Sequence, residues 1–136
     1  MVVISQSNPP NKRSKQFDWE TLPLSKWNST TFRAYIDHLN MEKFGQAIIY
    51  TGATIKITNK LLKQNYEEFG KEAVKLFIEE SVAGYAGNFS YPTIAFPIMI
   101  RFNKARLMPS CVARSKQMEA QQTGEVSEQV DESEVW

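Results

Sequence analysis

Apolar residues keep helical time along most of the chain, most clearly over residues 61–85, LLKQNYEEFGKEAVKLFIEESVAGY. Val74, Phe77, Ile78, Ser81, Val82 and Tyr85 follow one another at helical spacing and form a stripe on one side of a helix. Glu72, Lys75, Glu79 and Glu80 lie off that stripe. Upstream, Leu62, Tyr66 and Phe69 repeat the spacing, and Gly70 stands where a left-handed residue would end a helix. The pattern predicts two helices broken at Gly70, and their apolar faces need cover.

Ahead of this pair, Phe32, Tyr35, Ile36, Leu39 and Phe44 make the inner face of a helix over residues 29–44. Asn28 or Ser29 can cap its start and Gly45 its end. Pro23 keeps residues 21–27 out of a helix. In residues 46–58, QAIIYTGATIKIT, β-branched residues cluster around Thr51-Gly52, which predicts a short hairpin or an extended loop. After a loop containing Gly87 and Asn88, the stretch YPTIAFPIMIRFNKARLM alternates as a strand would and also repeats as a helix would. Pro97 argues against a central strand and fits the first turn of a helix beginning near Thr93, with Pro109 as its stop. The expected fold is mainly α: about four packed helices with a short extended or hairpin segment. Its expected organisation is a basic arm over residues 1–20, a helical domain over 21–108 and a disordered acidic tail over 109–136.

Charge sharpens that division. Residues 1–108 carry 14 Lys and Arg against 9 Asp and Glu, whereas residues 109–136 carry 2 against 6. The body is therefore basic and the tail acidic. The arm, with Pro9-Pro10 and the cluster Lys12, Arg13 and Lys15, has few core-type residues apart from Phe17 and Trp19, which dock on the domain or stack beside the cations. No apolar run approaches the ~20 residues of a membrane span. The start, MVVISQSNPPNKRSK, lacks the basic and long apolar regions of a secretory signal, so a cytoplasmic location is expected. A lone Cys111 and a lone His38 can build neither a disulfide nor a zinc site.

The constellations of hard chemistry are absent: no GxxxxGK[ST] loop, no GxGxxG, no HExxH and no CxxC. Glu67-Glu68 and Glu79-Glu80 are sequence neighbours on helices and point about 100° apart, so neither pair shares a site. No catalytic residue, metal or cofactor is expected. A helix-turn-helix reading would make residues 71–85 a recognition helix, but Glu72, Glu79 and Glu80 would meet phosphates and no Arg, Asn or Gln is there to read bases. The candidate nucleic-acid contacts are instead Lys12, Arg13 and Lys15, the group Lys56, Lys60 and Lys63, and the group Arg101, Lys104 and Arg106. The alternative is that these are scattered, solvated cations.

The last residues, DESEVW, place Asp131, Glu132 and Glu134 beside Trp136, a combination that sets an aromatic ring in an apolar pocket and carboxylates on a basic rim. The segment resembles the acidic, aromatic-ended tails with which single-stranded DNA-binding proteins recruit replication partners. The body departs from that family, since predicted helices do not make an oligonucleotide-binding barrel. The succession WNSTTFRAYIDHLNMEKFG, YEEFGKEAVKLFIEE and YPTIAFPIMIRF is similar to small helical phage proteins of the replication-accessory or helicase-loader kind. That resemblance implies a non-enzymatic adaptor that contacts a protein partner and DNA. The rival expectation is a pure protein-binding module, such as a viral inhibitor or adaptor of a host enzyme, that uses exposed aromatic residues. Oligomeric state is left open by the sequence.

Overall fold

A computed structural model describes residues 16–135, with side chains up to residue 120. The cluster Lys12, Arg13 and Lys15 and the ring of Trp136 lie outside the described residues. A 3-10 turn at Leu24–Lys26 precedes four helices: α1 (Ser29–Phe44), α2 (Gly52–Phe69), α3 (Lys71–Gly84) and α4 (Phe96–Val135). The fold is mainly α, and no strand occurs among the described residues.

Helix α1 begins and ends where its local chemistry requires. The Asn28 side chain accepts the Thr31 N–H at 3.0 Å while the Thr31 hydroxyl accepts the Asn28 N–H at 3.2 Å, a reciprocal capping box. Gly45 closes the helix at φ 72°, ψ 17°, a left-handed conformation that side chains with a Cβ resist. The same reciprocal pattern starts α2 with Thr51 and Thr54. Of the hairpin and the extended loop expected over residues 46–58, the hairpin does not form: residues 46–50 are a connection without regular structure, and the chain is helical from Gly52. Capping supplies partners for first-turn N–H groups, so the β-branched residues that follow are carried into the helix.

A single residue, Gly70, separates α2 from α3. The predicted stripe of α3 faces inward as expected: Val74, Phe77, Ile78, Ser81 and Val82 are buried, together with Ala73. Phe32 and Ile36 from α1, Leu62 from α2, and Phe96 and Met99 from α4 complete the core. Full burial of each such side chain stabilises the fold by about 1.5–3 kcal/mol. Phe77 meets Phe96 edge-on at 6.1 Å, and Trp27 meets Phe32 in the same manner at 5.1 Å. The Trp27 indole N–H donates to the Leu22 carbonyl at 3.1 Å, so the polar end of a buried ring is satisfied. Trp19 docks, with its ring 4.8 Å from Tyr35 and 4.6 Å from His38, whereas Phe17 remains exposed.

Two polar side chains on α1 hold distant segments. Asn40, fully buried, donates to the carbonyls of Ile36 (2.9 Å) and Ile94 (3.1 Å) and accepts the Ile94 N–H (2.8 Å). It fixes the approach to α4. Lys43 Nζ donates to the carbonyls of Val82, Ala83 and Tyr85 at 2.7–2.9 Å, a cation at the negative end of α3.

Helix α4 starts at Phe96 with Pro97 in its first turn, as the pattern predicts. The expected stop at Pro109 does not occur. The helix passes through it, and Met108, Cys111 and Ser115 are buried. Arg114 donates to Glu80 on α3 at 2.9 Å. Pro109 itself is exposed, so its ring displaces no core side chain. The packed body therefore reaches to Ser115, beyond the boundary expected at residue 108.

Candidate nucleic-acid interface

The inner side of α2 is set by Thr58, Leu62 and Asn65, all buried. With those turned inward, Lys56, Lys60 and Lys63 share the exposed side as one stripe. The stripe borders the start of α1 in a cleft of about 380 Å³ lined by Asn28, Ser29, Thr30, Asn59, Lys60, Lys63 and Tyr66. Asn59 joins the two helices: its carbonyl accepts the Ser29 hydroxyl at 3.0 Å, and its side-chain oxygen accepts Arg33 Nε at 2.9 Å. The first-turn N–H groups of Ser29 and Thr30 have no partner within their own helix. Two lysines next to a helix N-terminus form an electropositive cleft suited to an anionic oxygen.

Arg101, Lys104 and Arg106 do not join that surface or form one of their own. Residues 104 and 106 project about 200° apart on a helix. Lys104 Nζ lies 5.1 Å from the Phe69 ring, toward α2, while Arg106 donates to Asn103 at 2.9 Å and lines a groove against α3. Arg101 lies over Phe102 at 5.6 Å. Asp131, Glu132 and Glu134 fall on the helical backbone of α4, where side chains are not described.

A second surface is one that the sequence does not mark residue by residue. Between α3 and α4 runs a groove of about 470 Å³ whose walls include Ser81, Tyr85, Ile94, Ile98, Phe102 and Leu107. Phe102 is 67% exposed and Ile98 42%, and Tyr91 and Phe89 on the preceding loop are also exposed. The Ser81 hydroxyl is buried here without a partner. The helical repeat of α4 sets Ile98 and Phe102 on the same stripe as the buried Met99, so the pattern alone does not separate the exposed positions from the covered one.

Titratable groups also cluster between α1 and the 46–50 connection. Burial pushes the Asp37 carboxyl up to about 6, against the pull of the nearby Arg33 guanidinium. Burial, followed by the charge of Asp37, raises the Tyr50 phenol, and Arg33 lies 5.4 Å from the Tyr50 ring. Asp37 and the Tyr50 hydroxyl lie close enough to influence each other, although neither Asp37 Oδ1 nor the Tyr50 hydroxyl has a partner in good hydrogen-bond geometry. Burial, reinforced by the 2.5 Å hydrogen bond to Glu79, raises the Tyr35 phenol. Burial likewise raises the Cys111 thiol, so that its reactive thiolate form is disfavoured.

Among the described residues no group of three or more His, Cys, Asp or Glu is placed to hold a metal ion, and no helix is long and apolar enough to cross a membrane. No family model, curated protein or solved structure matches the chain.

Proposed function

We propose that the chain is a non-enzymatic accessory protein in DNA transactions, a phage-type replication adaptor acting in the host cytoplasm. It touches nucleic-acid phosphates through Lys56, Lys60 and Lys63 and recruits a protein partner elsewhere. The observation that carries this reading is the alignment of the three lysines on α2, with two of them beside the start of α1. Lysines act on phosphates as point charges and the helix terminus adds N–H donors, so binding is independent of sequence and weakened by salt. No residue of α3 lines this cleft, so its carboxylates are not among the groups that would face the phosphates.

Fluorescence anisotropy with labelled single- and double-stranded DNA at about 50 and 200 mM salt tests the reading. Affinity should fall at least tenfold across that range. Replacing Lys60 and Lys63 together by Ala should lower the slope of log affinity against log salt by about 2, while helical content is unchanged. No binding to either DNA at the lower salt would sink the proposal.

A second reading, a protein-binding module that does not touch DNA, is favoured by one observation. Phe102 and Ile98 expose apolar area on the wall of the α3–α4 groove, which shares no lining residue with the lysine cleft, and Phe89 and Tyr91 are exposed on the loop before α4. Exposed aromatic side chains next to a groove are the anchors that protein interfaces use.

A further inference from the structure

Helix α4 is divided by charge. From residue 96 to residue 116 it carries Arg101, Lys104, Arg106, Arg114 and Lys116 and no carboxylate. From residue 121 to residue 135 it carries Glu125, Glu128, Asp131, Glu132 and Glu134 and no cation. Packing is divided in the same way. Among the described side chains Ser115 is the last that is buried, and residues 116–120 are all exposed. A further 15 residues of helix follow, to Val135.

Helix α4 also bears an unpartnered apolar strip, which begins on the wall of the α3–α4 groove and runs on along the helix. Ile98, Phe102, Ala105, Pro109, Ala113 and Ala120 are all exposed. At 100° per residue they fall within about 80° of arc. Arg101 and Arg106 flank the strip on opposite edges, and Lys116 interrupts it between Ala113 and Ala120. The acidic half of the same helix cannot fold back to cover it: at about 1.5 Å per residue, residue 131 stands roughly 40 Å beyond residue 104 along the axis.

We infer that a second copy of the chain covers this strip, with the two α4 helices packed antiparallel about a two-fold axis near Gln117 and Met118. That register brings Arg101 level with Glu134 of the second copy and Arg106 level with Glu128, and the symmetry repeats both pairings. The acidic half of each helix then lies along the strip and basic edges of the other, so the occupant of the exposed face is fixed by charge complementarity. A parallel pair would set basic half on basic half and acidic on acidic. Such an interface is isologous and closes at two copies. Its attraction is largely electrostatic and so weakens with salt. The inference stands apart from the nucleic-acid reading, because the lysines assigned to DNA lie on α2.

Sedimentation velocity of the full chain tests it. With rising concentration the mass should move from 15.6 kDa toward twice that value, and higher salt should reverse the shift. The variant R101E/R106E and the variant E128K/E134K should each dimerise at least tenfold more weakly alone. Mixed in equal amounts they should recover the dimer, since both pairings then regain opposite charge. Recovery also shows that both variants are folded. Spin labels at Ala105 should lie about 35–40 Å apart in the dimer along the axis, against about 10 Å for a parallel pair. A monomer at every concentration, a mixture that fails to recover, or the short distance overturns the inference.

Discussion

Asn40 and Asp37 stand one turn apart on α1, and each carries a polar group toward a different segment: Asn40 toward Ile94, Asp37 toward Tyr50. On the Asn40 side every demand is met: both Nδ2 donations and the Oδ1 acceptance are made, and the partners include both backbone groups of Ile94. On the Asp37 side Oδ1 is buried without a partner, the Tyr50 hydroxyl likewise, and Arg33 is drawn off to Asn59. The difference teaches what each junction does. A satisfied buried amide specifies one arrangement of α1 against the segment entering α4, whereas an unsatisfied carboxyl makes the attachment of the 46–50 connection depend on protonation.

The comparison breaks most visibly at Asn40. Asn40→Leu keeps the volume but leaves the Ile94 N–H and carbonyl without partners, so a loss of about 2–4 kcal/mol is expected. Urea unfolding reads it directly, and a midpoint equal to the parent's would refute the role given to this amide. Asp37→Asn should act in the opposite sense and to a smaller extent. Its folded-state value of about 6 lies above the ordinary 3.8. The protonated form is therefore favoured in the folded protein: its contribution is fully present below about pH 4 and is lost as pH rises through about 6. The Asn variant should remove that slope and gain on the order of 1 kcal/mol at pH 7, after allowance for the group's partial exposure. Equal slopes of stability against pH in the two proteins would count against the cluster. Smallest of all, Tyr50→Phe removes a hydroxyl that lies beside Asp37 without good hydrogen-bond geometry, so thermal unfolding should shift by no more than the equivalent of about 0.5 kcal/mol.

How far the sequence foretells this molecule depends on whether local chemistry or tertiary packing decides. Helix α1 was legible to the residue because Asn28 and Gly45 are caps whose preference is intrinsic. The start of α2 was missed because Ile48, Ile49, Ile55 and Ile57 carry a strand-like composition. The deciding signal was the quieter pairing of Thr51 with Thr54. Pro109 was misjudged for the reverse reason. A proline costs an interior helix about 3 kcal/mol, but burial of Met108, Cys111 and Ser115 and the Arg114–Glu80 pair hold the chain helical across it.

The candidate surfaces follow the same logic. Lys56, Lys60 and Lys63 could be named from composition, but only the helix beneath them makes them a stripe. Arg101, Lys104 and Arg106 look like one group along the chain and are divided between two sides of α4. The exposed quartet around Phe102 was not legible because which side of α4 is covered depends on where α3 lies.

Gly70, at φ 95° and ψ 151°, is the only residue between α2 and α3, and its backbone conformation is one that glycine alone adopts without strain. A one-residue joint leaves almost no loop entropy to overcome before the two helices meet. Their association is local in sequence, the kind of contact that lets helical proteins reach the native state in microseconds to milliseconds. The short joint therefore makes the α2–α3 pair an expected early contact in folding.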